Sequence, residues 1–200
     1  MACFDASLEH LLQFAVGASQ DAVGDIVKRY RNHQALAVAE YDELAKIPSV
    51  GADAAMLIRI AYSLSVRAEI DKFKLGIAHT EEQILNYLTA LFYCLPNETV
   101  YVLLLDDRGR VTFSDVVSEG TVNASAVLPR RVLELAVKGG AHSVILAHNH
   151  PLGYANPSVE DVETTYVLKR MLESTGRTLL AHYVIASDGM YFKIDPNEGH

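Results

Sequence analysis

The sequence predicts an α/β or α+β domain, helices packed on a sheet, preceded by a small all-α region. Three observations predict this class. Thr99 to Leu105 and Ser143 to Ala147 are short apolar runs rich in branched residues, as buried strands are. Asp106-Asp107-Arg108-Gly109-Arg110 is a hairpin-like turn between the first of these runs and Val111-Thr112-Phe113. Amphipathic stretches separate the apolar runs, and helices mixed with a hairpin argue against a doubly wound parallel sheet.

The elements follow in order. Leu8, Leu11, Leu12 and Ala15 share one helical face, and further helices are expected over 21–30 and 34–40. Leu44 to Gly51 reads as a turn into a helix reaching about Ile70, with Met56, Ile60 and Leu64 at helical spacing. Asp71 to His79 reads as a linker, which divides the chain into a helical domain over 1–75 and a second domain over 80–200. Thr80-Glu81-Glu82-Gln83 is a capping box, and Ile84, Leu85, Leu88 and Leu91 continue the helix it opens. Pro129 is expected to start a helix that stops at Gly139-Gly140. Strand 143–147, helix 159–174 and strand 179–186 complete the second domain.

His148-Asn149-His150-Pro151 directly follows the strand run Ser143 to Ala147, at the strand's end. Side chains alternate faces along a strand, so His148 and His150 point one way and Asn149 the other. Two imidazoles on one face can hold one metal ion. Asp161 follows His150 after a loop with Gly153, Pro151 and Pro157, and such a loop can bring a helix start back over the strand end. Two histidines and one aspartate leave the fourth position of a tetrahedral zinc open for water. Ser158-Val159-Glu160-Asp161 is equally a capping box, which explains Ser158 and Asp161 without a metal. From the residues alone, Glu98, Glu119, Glu134 and Glu163 all remain candidates for an acid–base partner.

His148-x-His150-x7-Ser158-x2-Asp161 matches the JAMM motif of metal-dependent isopeptidases. With Pro151, Gly153 and Pro157, with Glu98 to Asp106, with Gly120-Thr121-x-Asn123 and Pro129-Arg130, and with His182-Tyr183-Val184-Ile185, residues 80–193 resemble the RadC family of bacterial JAMM-domain proteins. The resemblance implies a JAMM/MPN-like mixed sheet flanked by helices and a Zn²⁺ ion on His148, His150 and Asp161. It implies Glu98 as the group that accepts the water's proton, Ser158 as a hydrogen-bond donor to the oxyanion, and a protein or peptide substrate. Ala181 stands where an Asp usually precedes the late histidine, so a supporting role for His182 is not expected. Ile47 to Ile58 resembles a helix-hairpin-helix, with Ser49 where its first turn glycine would stand.

Composition sets bounds on function. A net charge of −8 argues against a protein built to coat DNA or an anionic membrane. The first 79 residues carry eight Lys or Arg against ten Asp or Glu, an unfavourable surface for tracking phosphates. DNA binding, or a DNA-repair accessory or adaptor role, therefore stands as an alternative to hydrolysis. A metal-dependent phosphodiesterase is a second alternative, though Lys and Arg are absent from 139 to 168. Cys3 and Cys94 suggest no disulfide framework, and no run is long enough to cross a membrane, so a cytoplasmic protein is expected.

Overall fold

The computed structural model describes residues 12–13, 19–30, 36, 39–93, 95–120, 124–151, 154–187 and 189–196. The expectations for Leu8, Leu11, Ala15, Cys3, Cys94, Thr121, Asn123 and Gly153 fall outside these residues. The chain forms two compact units, Met1–Ala68 and Glu69–His200.

In the first unit, helix α1 spans Gln20–Arg29, with Ser19 accepting a hydrogen bond from the Ala22 N–H at its start. The short α2 (Tyr41–Ala45) leads into α3 (Gly51–Lys72), whose C-terminal end enters the second unit. Gly51 has φ of +71°, so the turn before α3 needs this glycine. Ile26, Leu36, Leu44 and Ile58 form the centre of a small core. Two expectations change here. Ala39 and Glu40 lie outside any helix, because Glu40 is the cap of α2. On α3, Met56, Ile60 and Leu64 are exposed, and the small Ala55 with Ile58 fills the buried face instead.

The second unit holds α4 (Glu81–Phe92), β1 (Thr99–Leu105), β2 (Val111–Glu119), α5 (Ala124–Lys138), β3 (Ser143–His150), α6 (Val159–Glu173), β4 (Thr178–Ala186) and β5 (Tyr191–Ile194). The sheet order is β2-β1-β3-β4-β5, mixed as expected, with β3 and β4 parallel and every other neighbour antiparallel. One face carries Val100, Val102, Leu104, Val144 and Leu146, and packs against Val132 and Ala136 of α5 and Leu168 and Leu172 of α6. The other face carries Leu103, Ile145, Tyr183 and Ile185 beneath Ile84, Leu88 and Phe92 of α4. The expected capping box opens α4, and Glu81 in its first turn accepts from the Tyr183 hydroxyl at 2.6 Å.

Three elements extend beyond their predicted limits. β3 continues through His150, because pairing with β1 and β4 satisfies backbone that local propensity leaves open. β2 runs on to Glu119 as an edge strand that buries only Val111 and Val117, so no apolar alternation marked it. α5 begins at Ala124 and contains Pro129, giving up the bond that residue 129 would make to the carbonyl of residue 125. The stop at Gly139-Gly140 is as expected, with Gly140 at φ of +62°.

Leu146 is fully buried in the central strand, one alternation before His148. Leu146→Ala is expected to cost about 2–5 kcal/mol of unfolding free energy. Urea denaturation of the metal-free protein checks this, and a loss under about 1 kcal/mol would show that the sheet face repacks.

Candidate metal centre

The centre is built on the alternation of two neighbouring strands. Val144, Leu146, His148 and His150 share the α6 face of β3. Val100 pairs with His148 in antiparallel register, so Glu98, two residues earlier on the same face, arrives at the level of His150. α6 starts at the same edge. Ser158 is its cap, and the capping box with Asp161 is complete.

One ligand atom from each of Glu98, His148, His150 and Asp161 lies within 4.8 Å of the others. His148 Nε2 is 3.1 Å from His150 Nε2 and 3.3 Å from Asp161 Oδ1, and His150 Nε2 is 3.7 Å from Asp161 Oδ2. Atoms ~2.0–2.1 Å from a tetrahedral zinc stand ~3.3–3.4 Å apart, so the two histidine nitrogens and Asp161 Oδ1 beside His148 come near that spacing, while on the His150 side the nearest carboxylate oxygen, Oδ2, is wider. His150 Nδ1 lies 2.9 Å from the Tyr154 carbonyl, which can only accept. Nδ1 therefore carries the proton, and in the neutral ring Nε2 offers its lone pair to the cluster. A carboxylate oxygen beside it also only accepts. Such a group of acceptors has a place for a cation.

Asp161 completes the cap and also faces the cluster. Oδ2 accepts from the Ser158 N–H and from the Ser158 hydroxyl, each at 2.7 Å. Oδ1 faces His148. Burial alone would raise the Asp161 carboxyl, but the two hydrogen bonds that Ser158 donates to Oδ2 oppose this and favour the ionised form. Asp161 thus stays ionised, as a ligand must.

Glu98 is placed differently. Among the described ion pairs, both histidines go to Asp161 and neither to Glu98, whose residue is exposed. Its rivals stay apart from the cluster: Glu134 pairs with Lys138 on the surface of α5, and Glu119 and Glu163 are exposed and outside the group. The backbone around Glu98 is held by Asn149, the residue pointing away from the histidines. Asn149 Oδ1 accepts from the Thr99 N–H at 2.7 Å, and Nδ2 donates to the Asn97 carbonyl at 3.2 Å. One buried side chain so brackets the residue between them. The Glu98 carbonyl also accepts from the Gly120 N–H at 2.8 Å. Sequence reading missed this use of Asn149, although its forced opposite orientation was the available signal.

His182 also belongs to the site. It is buried beside His148, with its Nε2 2.8 Å from His148 Nδ1. Burial, reinforced by His148, pushes its pKa well below the ordinary imidazole value, so the ring is neutral. The absence of an Asp at position 181 does not leave it loose, since Thr165 of α6 holds its other nitrogen at 2.7 Å.

The family model described as RadC-like JAB domain matches residues 78–197. The chain belongs to this family. Among RadC-family relatives, a UPF0758 protein of Finegoldia magna is 34% identical over 92% of this chain and 88% of its own length. A UPF0758 protein of Staphylococcus epidermidis is 31% identical over 86% of this chain and 76% of its own. The matched region contains the whole cluster of Glu98, His148, His150 and Asp161, a group able to hold a metal ion. Among the described residues, no helix is long and apolar enough to cross a membrane.

Asn149→Leu removes the bracket while leaving the histidines in place. It strands the Thr99 N–H in a residue only 3% exposed, with an expected cost of about 1–3 kcal/mol. Thermal or urea unfolding measures that loss. Unchanged stability would mean that the segment before β1 does not depend on Asn149.

Proposed function

We propose that this RadC-family chain is a zinc-dependent hydrolase of the JAMM type that cleaves a peptide or isopeptide bond. The observation that carries the reading is the convergence of two imidazole nitrogens and the Asp161 carboxylate, with a second carboxylate, Glu98, beside them and paired with neither histidine. A closed structural site would use all four residues as ligands; a catalytic one keeps a position open. The separate placement of Glu98 favours the second.

His148, His150 and Asp161 hold the ion. Bound there, Zn²⁺ supplies a Lewis acid that brings the pKa of a water to about 7 and polarises a carbonyl. With such an ion in place, Glu98 would be the proton acceptor toward the attacking water. The same carboxyl then protonates the departing amine nitrogen. Ser158 has one hydroxyl proton, which in this structure goes to Asp161 Oδ2. Rotated about its Cα–Cβ bond, the hydroxyl becomes the donor to the carbonyl oxygen that gains charge, while its backbone N–H keeps Asp161 in place. The neutral or acidic surroundings suit an amide better than a phosphodiester, because residues 139–168 contain no Lys or Arg to offset phosphate charge.

DNA is a less favoured partner. Ser49, at the turn before α3, donates to Asp25 Oδ2 at 2.6 Å, so a carboxylate sits where a phosphate would need to approach. The chain is expected to bind duplex DNA more weakly than about 1 μM at ~0.15 M salt, where the Debye length is roughly 8 Å. A fluorescence titration with labelled duplex decides this, and tight binding would restore the repair-accessory reading.

Metal analysis should find about one zinc per chain, lost in both His148→Ala and His150→Ala, as expected for a site with three protein ligands. Asp161→Asn separates cap from ligand. Its amide oxygen can still accept from Ser158, but its NH₂ group then faces His148 in place of the anionic oxygen. The variant should melt close to the metal-free parent and hold zinc much more weakly. Wild-type zinc affinity in this variant would make Asp161 a cap alone.

Glu98→Gln should retain zinc and lose about 10²–10⁴-fold in turnover. The assay is peptide-library cleavage read by mass spectrometry, with zinc-loaded parent and variant side by side. Cleavage by the parent that the variant matches would assign the proton transfer to another group. No cleavage by the parent of any peptide or isopeptide-linked probe would favour the adaptor role.

A further inference from the structure

We infer that His182 and Thr165 are positioning residues that lock His148 in the tautomer whose Nε2 lone pair faces the metal site. The inference rests on the metal-hydrolase reading above for its consequence, but its proton order is set by atoms outside the cluster. Thr165, His182 and His148 are all buried, at 0%, 2% and 1% exposed, so no water competes for these bonds.

The order follows from counting hydrogens. Thr165 has one hydroxyl hydrogen. Its Oγ1 lies 2.6 Å from the Asp161 backbone carbonyl, which can only accept, so the hydrogen goes there. The Thr165 oxygen then has only lone pairs for His182 Nδ1, 2.7 Å away, so His182 donates from Nδ1. A neutral ring protonated at Nδ1 has a bare Nε2. That nitrogen is 2.8 Å from His148 Nδ1, so His148 must donate from Nδ1 in turn. His148 Nε2 is left bare, 3.3 Å from Asp161 Oδ1 and 3.1 Å from His150 Nε2.

The reverse order fails on physical grounds. It requires either a buried imidazolium at His182, in contact with the ring that is to hold a cation, or a Thr165 oxygen facing the Asp161 carbonyl oxygen at 2.6 Å with no proton between them. The relay therefore has one direction. It also closes on itself: the carbonyl of residue 161 starts it, and the carboxylate of the same residue meets its far end.

Metal-bound histidines commonly donate their second N–H to a carboxylate or carbonyl, and His150 does so to Tyr154. For His148 this structure uses a neutral imidazole and a threonine instead. That choice orients the ring without adding a second negative charge to a buried layer that already contains the Asp161 carboxylate.

Two measurements on the full chain test the inference. Long-range ¹H–¹⁵N NMR on histidine-labelled protein, metal-free and zinc-loaded, should show His182 protonated at Nδ1 and bare at Nε2 in both states. A proton on His182 Nε2 in the metal-free or the zinc-loaded protein overturns the relay. Zinc affinity by chelator competition should fall about 10–100-fold in Thr165→Val, which keeps the shape and removes the acceptor, and should recover in Thr165→Ser. Parent-like affinity in Thr165→Val overturns the positioning role, as does a failure of Thr165→Ser to recover it. Should His148→Ala and His150→Ala both bind zinc like the parent, the metal reading itself fails. The metal-free spectrum of His182 then still judges the proton order separately.

Discussion

Lone pairs converging from two imidazoles and a carboxylate repel one another unless something positive lies between them. Around His148, His150 and Asp161, the surrounding structure holds these groups in that arrangement. The Tyr154 carbonyl takes the spare proton of His150, and Ser158 spends both its donors on one Asp161 oxygen. Each support leaves the atom that faces the cluster without a hydrogen. The cost of bringing acceptors together is met in advance by folding, and a cation recovers it. Affinity for metal is in this sense stored in the placement of α6 against β3.

The sheet makes that placement reproducible. β3 is buried along nearly its whole length, so a slip of one residue would put Asn149 among the ligands and both histidines under α4. Asn149 adds a second penalty for slippage, since it alone pairs with the backbone on both sides of Glu98. The histidines and Glu98 therefore share one register. The face that gathers the histidines is set by the even positions of β3, and the place of Glu98 by the odd position between them.

The helical unit contributes differently. Its core of Ile26, Leu36, Leu44 and Ile58 is sufficient to organise short helices, but its hairpin turn lacks a glycine at Ser49 and carries Asp25 against it. A phosphate contact at such a turn depends on bare backbone N–H groups and positive potential. A serine hydroxyl bonded to a carboxylate provides neither.

Much of the centre was legible because strand alternation is a local rule. His148 and His150 share a face, and Asn149 opposes them, for any strand through 143–150. The capping box of Ser158 and Asp161 is equally local, and so is the mixed α/β class, from apolar runs and one turn. Family resemblance, not spacing, singled out Glu98 among four glutamates. Other features needed the tertiary structure. β2 past Phe113 and β5 carry too little apolar pattern to read, and they form because an adjacent strand offers unpaired backbone. Asp161 could be cap or ligand by sequence, and only the approach of α6 to β3 brings its carboxylate to the histidines while Ser158 still holds it. The work of His182 depends on Thr165 and His148, 17 and 34 residues away along the chain, at hydrogen-bond distance. Proton order is a property of closed contacts between elements, and no local pattern of residues encodes it.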